Sequence, residues 1–394
     1  MLFNSRRGHR RALLAAALCA GAVAIVPATA QAGGGITDPP RVMTRNLYLG
    51  ADLSPALAAL GCTPAPFCTL IANQTIWNQV VATDFPARAK KLAKEIDDDD
   101  PYIVGLQEVA LWRSGGFNGV KDATTVEYDF LTTLLAELSA RGNKYKAAVV
   151  QQEADLESPS GTAPFFGFPP FSADATDRRL TMRDVILVRT DLPKFLVSFT
   201  NPQSGNYCVS SCAPTPDRTI KIVTGSSYGD IVFTRGWTSI DVKILGKPAA
   251  RFVNTHLESF ASGIRQLQAA ELVGAFGSGP LLTSLPAILV GDLNSDPAIG
   301  PVPPTSGVSD GAAYGIIAGA GFVDTGNTAN TFGHAANLLN PTAIFTERID
   351  HILTRPGTFG LLTTKVVGTD PANRAPSGAG LLWPSDHGGV IAGF

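Results

Sequence analysis

The sequence has no excess of positive charge, no long apolar run beyond its N-terminal segment and no repeat. Its 394 residues carry 31 Lys and Arg against 33 Asp and Glu. Such a balance gives a polyanion no broad basic surface, although a local basic patch stays open. Past the first 32 residues, no stretch reaches the roughly 18 uninterrupted apolar residues of a membrane-spanning helix. No self-similarity marks a solenoid, and 40 Gly and 28 Pro follow no collagen-like period. Cysteine is scarce, at five. What is plentiful is apolar: hydrophobic residues make up 45%, enough to build a sizeable core and to exclude wholesale disorder.

The N-terminus reads as an address rather than a fold. Arg6, Arg7, Arg10 and Arg11 precede an apolar run from Ala12 to Val26, followed by small-residue sites at Ala28-Thr29-Ala30 and Ala30-Gln31-Ala32. That order is that of a secretory signal peptide, expected over residues 1–32. Its apolar run is short for a membrane anchor. Ser5-Arg6-Arg7 faintly resembles a twin-arginine signal. Removing the segment takes away four arginines, leaving 27 basic and 33 acidic residues, a formal charge of −6. It also takes away Cys19. Cys62, Cys68, Cys208 and Cys212 remain, an even set that suits an exported, oxidised chain. Cys62–Cys68 and Cys208–Cys212 are the simplest of three possible pairings. No histidine lies near either pair, which argues against a zinc site.

Residues 33–40 read as a flexible leader, and 41–394 as one α/β (α+β) domain with no composition break. Arg41–Asn46 reads as a first strand. Ala89, Leu92, Ala93 and Ile96 share one helical face, with the acidic run Asp97–Asp100 and Pro101 ending that helix. The run reads as a solvated turn in preference to a calcium site. Tyr102–Leu106 reads as a buried strand. Further strands are expected at Val185–Arg189, Ile231–Thr234, Thr238–Ile244, Arg251–Thr255, Pro286–Val290 and Ile349–Leu353. A second helix carries Ala269, Leu272, Val273 and Phe276 at helical spacing. Leu156–Ala173, rich in Pro, Gly and Phe, reads as a long loop.

Polar residues recur where these strands end: Asn46, Glu108, His256, Asp292 and Asn294, with Asp350 inside a strand and Asp386-His387 before the last apolar segment. Strand ends along one sheet edge are where α/β folds build sites. Carboxylates and an amide oxygen suit a hard cation such as Mg2+, Mn2+ or Ca2+. Histidine beside carboxylate handles protons. Together they suit phosphoester cleavage, in which a cation neutralises phosphoryl oxygens.

Thr44-Arg45-Asn46-Leu47, Gly105-Leu106-Gln107-Glu108, Asn254-Thr255-His256-Leu257, Gly291-Asp292-Leu293-Asn294, Arg348-Ile349-Asp350 and Ser385-Asp386-His387 occur in that order. The series resembles that of the endonuclease/exonuclease/phosphatase, or DNase I-like, superfamily. The resemblance implies a four-layer α/β/β/α sandwich and metal-dependent phosphoester hydrolysis by in-line attack of water. It implies Glu108 as main metal ligand, with Asn46 and Asp386 beside the metal or the phosphate. Asp292 would orient or deprotonate the water, helped by Asn294. Asp350 would hold His387, and His256 would contact the phosphate or protonate the leaving group. Which histidine is acid and which is base stays open. Arg183 or Asp184 is a candidate for a residue that touches the phosphate, and Arg265 could reach an anionic substrate. His351, beside Asp350 on a strand, would face the opposite side as a packed histidine. His334 has no assigned role.

Two other classes are weighed. Gly225-Ser226-Ser227-Tyr228-Gly229 fits the short serine-nucleophile pattern, but the segment after it reads as a strand where a nucleophile elbow needs a helix. A secreted binding module would be expected to lack the metal glutamate or a motif histidine, and all are present. The substrate is expected to be a phosphodiester, lipid or nucleic acid, with no obligate protein partner implied. Four phenylalanines within Phe165–Phe171 suggest contact with a membrane surface. This tilts the reading toward a sphingomyelinase-like lipid phosphodiesterase, ahead of an extracellular nuclease.

Overall fold

Alternating apolar residues pair two sheets face to face. In strand β1 (Arg41–Asn46), Val42 and Met43 point to opposite sides, as do Ile103 and Val104 in β2 (Ile103–Gln107). The computed structural model describes residues 39–59, 65–142, 144–162, 174–210, 212, 215–222, 228–356 and 360–394. The signal-peptide expectation, Cys62, Phe165–Phe171 and the serine of the rival motif lie outside them.

β3 (Leu111–Gly116), β4 (Thr125–Asp129), β5 (Tyr145–Ser160) and β6 (Thr176–Arg189) follow β2. Next come β7 (Val197–Asn206), β8 (Ile220–Ile222), β9 (Ile231–Phe233), β10 (Gly236–Ile244), β11 (Ala250–His256) and β12 (Ala287–Asp292). β13 (Val323–Asp324), β14 (Asp350–Arg355), β15 (Thr363–Val367), β16 (Ala375–Ser377), β17 (Gly380–Leu382) and β18 (Gly389–Gly393) complete the described strands. The first sheet runs β15-β18-β1-β2-β6-β3-β4, with β5 also on β6. The second runs β13-β14-β12-β11-β10-β7. In each sheet the strands that carry the expected motifs are adjacent: β1 is parallel to β2, and β11 is parallel to β12.

Three apolar layers hold the sandwich. Val42, Ile103, Ile186, Phe252, Val290 and Ile352 fill the space between the sheets. Helices α1 (Ser54–Ala59), α2 (Ala65–Ala82), α3 (Phe85–Asp99) and α4 (Phe130–Ala140) belong to the outer face of the first sheet, where Phe85 stacks on Phe130. Helices α5 (Ser262–Leu272) and α6 (Ala312–Gly319) cover the second through Ala269, Leu272, Ala313 and Ile317. The result is the helix–sheet–sheet–helix order of an α+β sandwich, and Pro39–Phe394 form one compact unit.

Two glycines let the layers close near the strand ends. A Cβ on Gly105 would meet Val290 Cγ2 at 2.5 Å and Asn254 Oδ1 at 2.6 Å, across the gap between the sheets. Asn254 donates to Leu106 O and accepts from Gln107, tying β11 to β2. Gly291 has φ 150°, and a Cβ there would lie 2.0 Å from Thr255 O. Only glycine fits immediately before Asp292.

Elsewhere the structure departs from expectation. Leu156–Ser160 is not loop but the end of β5, paired with β6. The acidic run ends its helix as expected but is not a turn: α3 continues through Asp97 to Asp99, and Asp100 is its left-handed cap. Asp99 and Asp100 bind Lys365 and Arg189. Helix α5 stops at Leu272, short of Phe276, which is exposed. Cys208 and Cys212, by contrast, form the expected disulfide, with Cα atoms 5.8 Å apart.

Candidate active site

Three strand ends break backbone convention together. Tyr48, Glu108 and Asn294, just past β1, β2 and β12, have φ of 58°, 55° and 46°. A left-handed conformation costs a residue with a side chain on the order of 1–3 kcal/mol, and such residues gather at functional sites. All three line a cleft of about 380 Å³ with His256, Asp292, Asp386 and His387. Arg88, fully buried, fixes the surrounding loops by donating to the carbonyls of Leu47, Tyr48 and Pro384.

The first sheet supplies an oxygen-rich corner. Glu108 accepts from Leu49 N at 2.7 Å and from Asn46 Nδ2 at 3.2 Å. Asn46 Nδ2 also donates to Asp292 Oδ2 at 3.0 Å, and its Oδ1 accepts from Tyr48 N at 2.9 Å. That last bond fixes the orientation of the amide. Asn46 thus stands between two carboxylates, its nitrogen donating to both and its oxygen, with a second lone pair, turned to the Tyr48 backbone. Burial raises Asp386 to about 6; the charge of Glu108 adds to the rise, while His387 and Arg88 oppose it.

Asp292 stands between two histidines. Its Oδ1 accepts from Asn294 N at 2.9 Å, while Asn294 Nδ2 donates to Leu257 O. Asp292 Oδ2 lies 3.4 Å from His256 Nε2 and 3.7 Å from His387 Nε2. His387 Nδ1 meets Asp350 Oδ2 at 2.9 Å. Burial works against a charge on His387, but Asp350, Asp386 and Asp292 raise it to about 10. It is a cation at neutral pH. Burial also raises Asp292, helped by Asp350 and Glu108 and opposed by His387, to about 7.

His256 has the opposite surroundings. Its Nδ1 lies 3.0 Å from Arg235 Nη1. Arginine only donates, so Nδ1 accepts and the proton sits on Nε2, facing the cleft. Burial, then Arg235 and His387, hold His256 well below the ordinary histidine range. Arg235 is in turn set among buried acids: Glu153 at 3.9 Å and Glu258 at 3.7 Å. Glu153 accepts from Gly236 N at 2.8 Å. Asp184 adjoins it; burial and the charge of Glu153 raise Asp184 well above the carboxylate range.

Sequence reasoning missed Arg235 and Glu153. The available signal was an arginine wedged between two apolar segments, Ile231–Phe233 and Trp237–Ile244, where a solvated turn would be expected. It assigned two other arginines wrongly. Arg183 is turned inward, donating to Val109 O, Ala110 O and Asp129. Arg265 is fully buried and donates to Glu258 O, Val308 O and Asp310. Neither guanidinium is free for substrate. Asp184 is buried behind Arg235 instead of facing a phosphate. His351 is packed away from the cleft, bonded to Ser295 O and Asp324. His334 lines the cleft, stacked on Trp383.

The model of the Endonuclease/Exonuclease/phosphatase family matches residues 76–387, most of the chain and all but the first of the expected motifs. The chain belongs to this family. It is a metal-dependent phosphoester hydrolase of α+β, DNase I-like fold. Among solved structures it is similar to a family protein from Bacteroides thetaiotaomicron (18% identity, 90% of this chain and 96% of that one, TM-score 0.47). It is also similar to a mannosyl-6-phosphatase of that organism (19%, 90% and 98%, 0.46) and to truncated Caenorhabditis elegans TDP2 (15%, 90% and 96%, 0.43). No curated protein matches its sequence.

The corner suits the divalent ion on which the family depends. Glu108 and Asp386 are hard oxygen donors at the cleft, and the charge of Glu108 disfavours that of Asp386. A cation between them removes that conflict. The described residues also include two tight acidic–histidine groups, Asp292/Asp350/His387 and Glu153/Asp184/His256. In the first, His387 is itself cationic. In the second, Arg235 already occupies His256 Nδ1.

Proposed function

We propose that the chain, after loss of residues 1–32, acts outside the cell as a Mg2+-dependent phosphodiesterase (Mn2+ or Ca2+ being the alternatives) on a lipid phosphodiester of the sphingomyelin kind. One observation carries the chemistry: Asp292 lies between a cationic His387 and a neutral His256. When bound at Glu108 and Asp386, the metal neutralises phosphoryl charge. Asp292 orients the attacking water and accepts its proton. A new P–O bond forms as the bond to the leaving oxygen breaks. His387 Nε2 donates the proton that the leaving oxygen needs, and Asp350 keeps the ring aligned. His256 Nε2–H donates to a phosphoryl oxygen but does not act as base, because Arg235 holds its other nitrogen.

The substrate class is supported by what the cleft lacks. Among the described residues lining it, Arg235 is the sole Lys or Arg, and it is committed to His256. A tract of phosphates gains little there. The Phe165–Phe171 sequence supports contact with a bilayer. The test is a side-by-side assay with magnesium on sphingomyelin, DNA, RNA and bis-p-nitrophenyl phosphate. Sphingomyelin should be the preferred substrate, with EDTA abolishing all turnover. Preferential degradation of DNA would replace the lipid reading with an extracellular nuclease. Liposome binding that is lost in Phe165→Ala/Phe166→Ala, with the soluble ester still cleaved, checks the membrane contact.

A further inference from the structure

We infer that a second, apolar pocket beside the catalytic cleft holds the first carbons of an alkyl chain esterified to the reacting phosphate. The inference rests on the phosphodiesterase reading and adds where the substrate's apolar part sits. The pocket shares Leu53, Leu156 and Phe233 with the cleft, so the two adjoin across these side chains. Phe233 packs edge-on against Phe260, itself a cleft residue, at 5.4 Å between ring centres. These side chains form an apolar sill. Beyond it, Ile76, Trp77, Trp112 and Leu180 lie in the walls of a space of about 110 Å³. Cavities of this scale and lining take up small apolar guests.

The polar groups around the space are already paired. Asp155 binds Arg179 and Lys121, and Glu157 accepts from Asp122 N and Ala123 N. The Trp112 indole donates to Leu49 O at 2.9 Å. Little hydrogen-bonding capacity faces the guest, which suits hydrocarbon. A nucleobase fits poorly. It needs partners for its edges and a free ring face. Arg178 lies over the Trp77 ring at 4.0 Å, and Trp112 and Tyr128 abut the same ring at 6.0 Å each.

A series of p-nitrophenyl alkyl phosphates, methyl to octyl, tests this on the whole protein with magnesium. kcat/KM should rise about two- to fourfold per added methylene over the first several carbons, then level off. Ala56→Phe, which crowds the pocket from α1, should flatten that rise while leaving the methyl ester within about twofold. Leu57→Asn, a milder change on the same helix, should lower the slope if Ala56→Phe fails to fold. A flat series in the native protein, with the methyl ester still cleaved, overturns the pocket and leaves the phosphodiesterase standing. No cleavage of any ester overturns both. A p-nitrophenyl nucleoside phosphate that outruns the octyl ester, and loses its advantage in Ala56→Phe, assigns the pocket to a base and overturns the alkyl assignment. Without metal or turnover, octyl phosphate should shift indole emission in the native protein, and ethyl phosphate should not. Equal responses to both would also overturn it.

Discussion

His387 and His256 approach the same carboxylate oxygen, and their neighbours give one ring a charge and the other none. His387 is surrounded by Asp350, Asp386 and Asp292 and stays protonated; His256 is backed by Arg235 and stays neutral. Both are buried, and burial alone would neutralise either. The difference comes from the second layer. Carboxylates behind one ring make a proton donor that carries charge. A guanidinium behind the other makes a donor that carries none. The identity of the ring says little about its role until its back side is known.

The sharpest way to break the comparison is to remove its charged half. His387→Ala should lower turnover at least about a hundredfold, the scale of lost acid–base help, with the fold intact by circular dichroism. Glu108→Ala should do the same through the metal. Near-normal turnover in a folded His387→Ala protein would end the assignment. Arg235→Met removes the feature that separates the two rings. We expect kcat to fall about 10- to 100-fold, the scale for partners that orient a histidine, and Arg235→Lys to recover part of the loss. Nitrogen-15 spectra of His256 should show the Nε2–H tautomer in the native protein, unchanged between pH 5 and 8, and a titrating ring in Arg235→Met. A ring that titrates in the native protein would remove the distinction.

The smallest effect concerns the acids behind Arg235. Burial, chiefly, raises Glu153 to about 7, whereas the unfolded chain loses that proton near pH 4.3. Between these values the folded state holds more protons than the unfolded one. Stability therefore falls as pH rises from about 4 to 7. Asp184, itself raised well above the carboxylate range by burial and by the charge of Glu153, adds to that decline, although its hydrogen bond lowers Glu153. Asp184→Asn removes its titration and should flatten the decline, raising the melting temperature at pH 7.5 by on the order of 2 °C. A steeper decline would show that the lost hydrogen bond to Glu153 outweighs the lost titration of Asp184.

Much of the site was legible because strands announce themselves. Apolar runs that end in Glu108, His256 and Asp292 placed those residues at sheet edges, and the structure puts all three in one cleft. The two helical faces and the strands that carry the motifs were readable from the apolar pattern, but β3, β4, β5 and β7 and helices α1, α2, α4 and α6 were not. What could not be read was the partner of each polar side chain. Arg183, Arg265 and Arg235 are each an arginine near the end of an element in sequence. Packing sends the first two to backbone carbonyls and only the third to the cleft. Asn46 had the right position, but its bonds to Glu108, Asp292 and Tyr48 N could not be read from the chain. The left-handed turns at Tyr48 and Glu108 carry no glycine to signal them. They persist because Arg88 and the Glu108 hydrogen bonds hold the loops from outside.

Gly105 brings the two sheets within reach at the cleft. The first sheet brings Glu108, Asp386 and His387, and the second brings His256, Asp292 and Asp350. The His387–Asp350 bond crosses between them. A chain whose sheets have formed but not docked thus owns only half a site, and no half recognises a phosphate ester with its metal. Anything that binds the complete cleft selects the docked state and stabilises it by mass action. This ties the last act of assembly to the first act of function: the ligand doubles as the clasp of the sandwich.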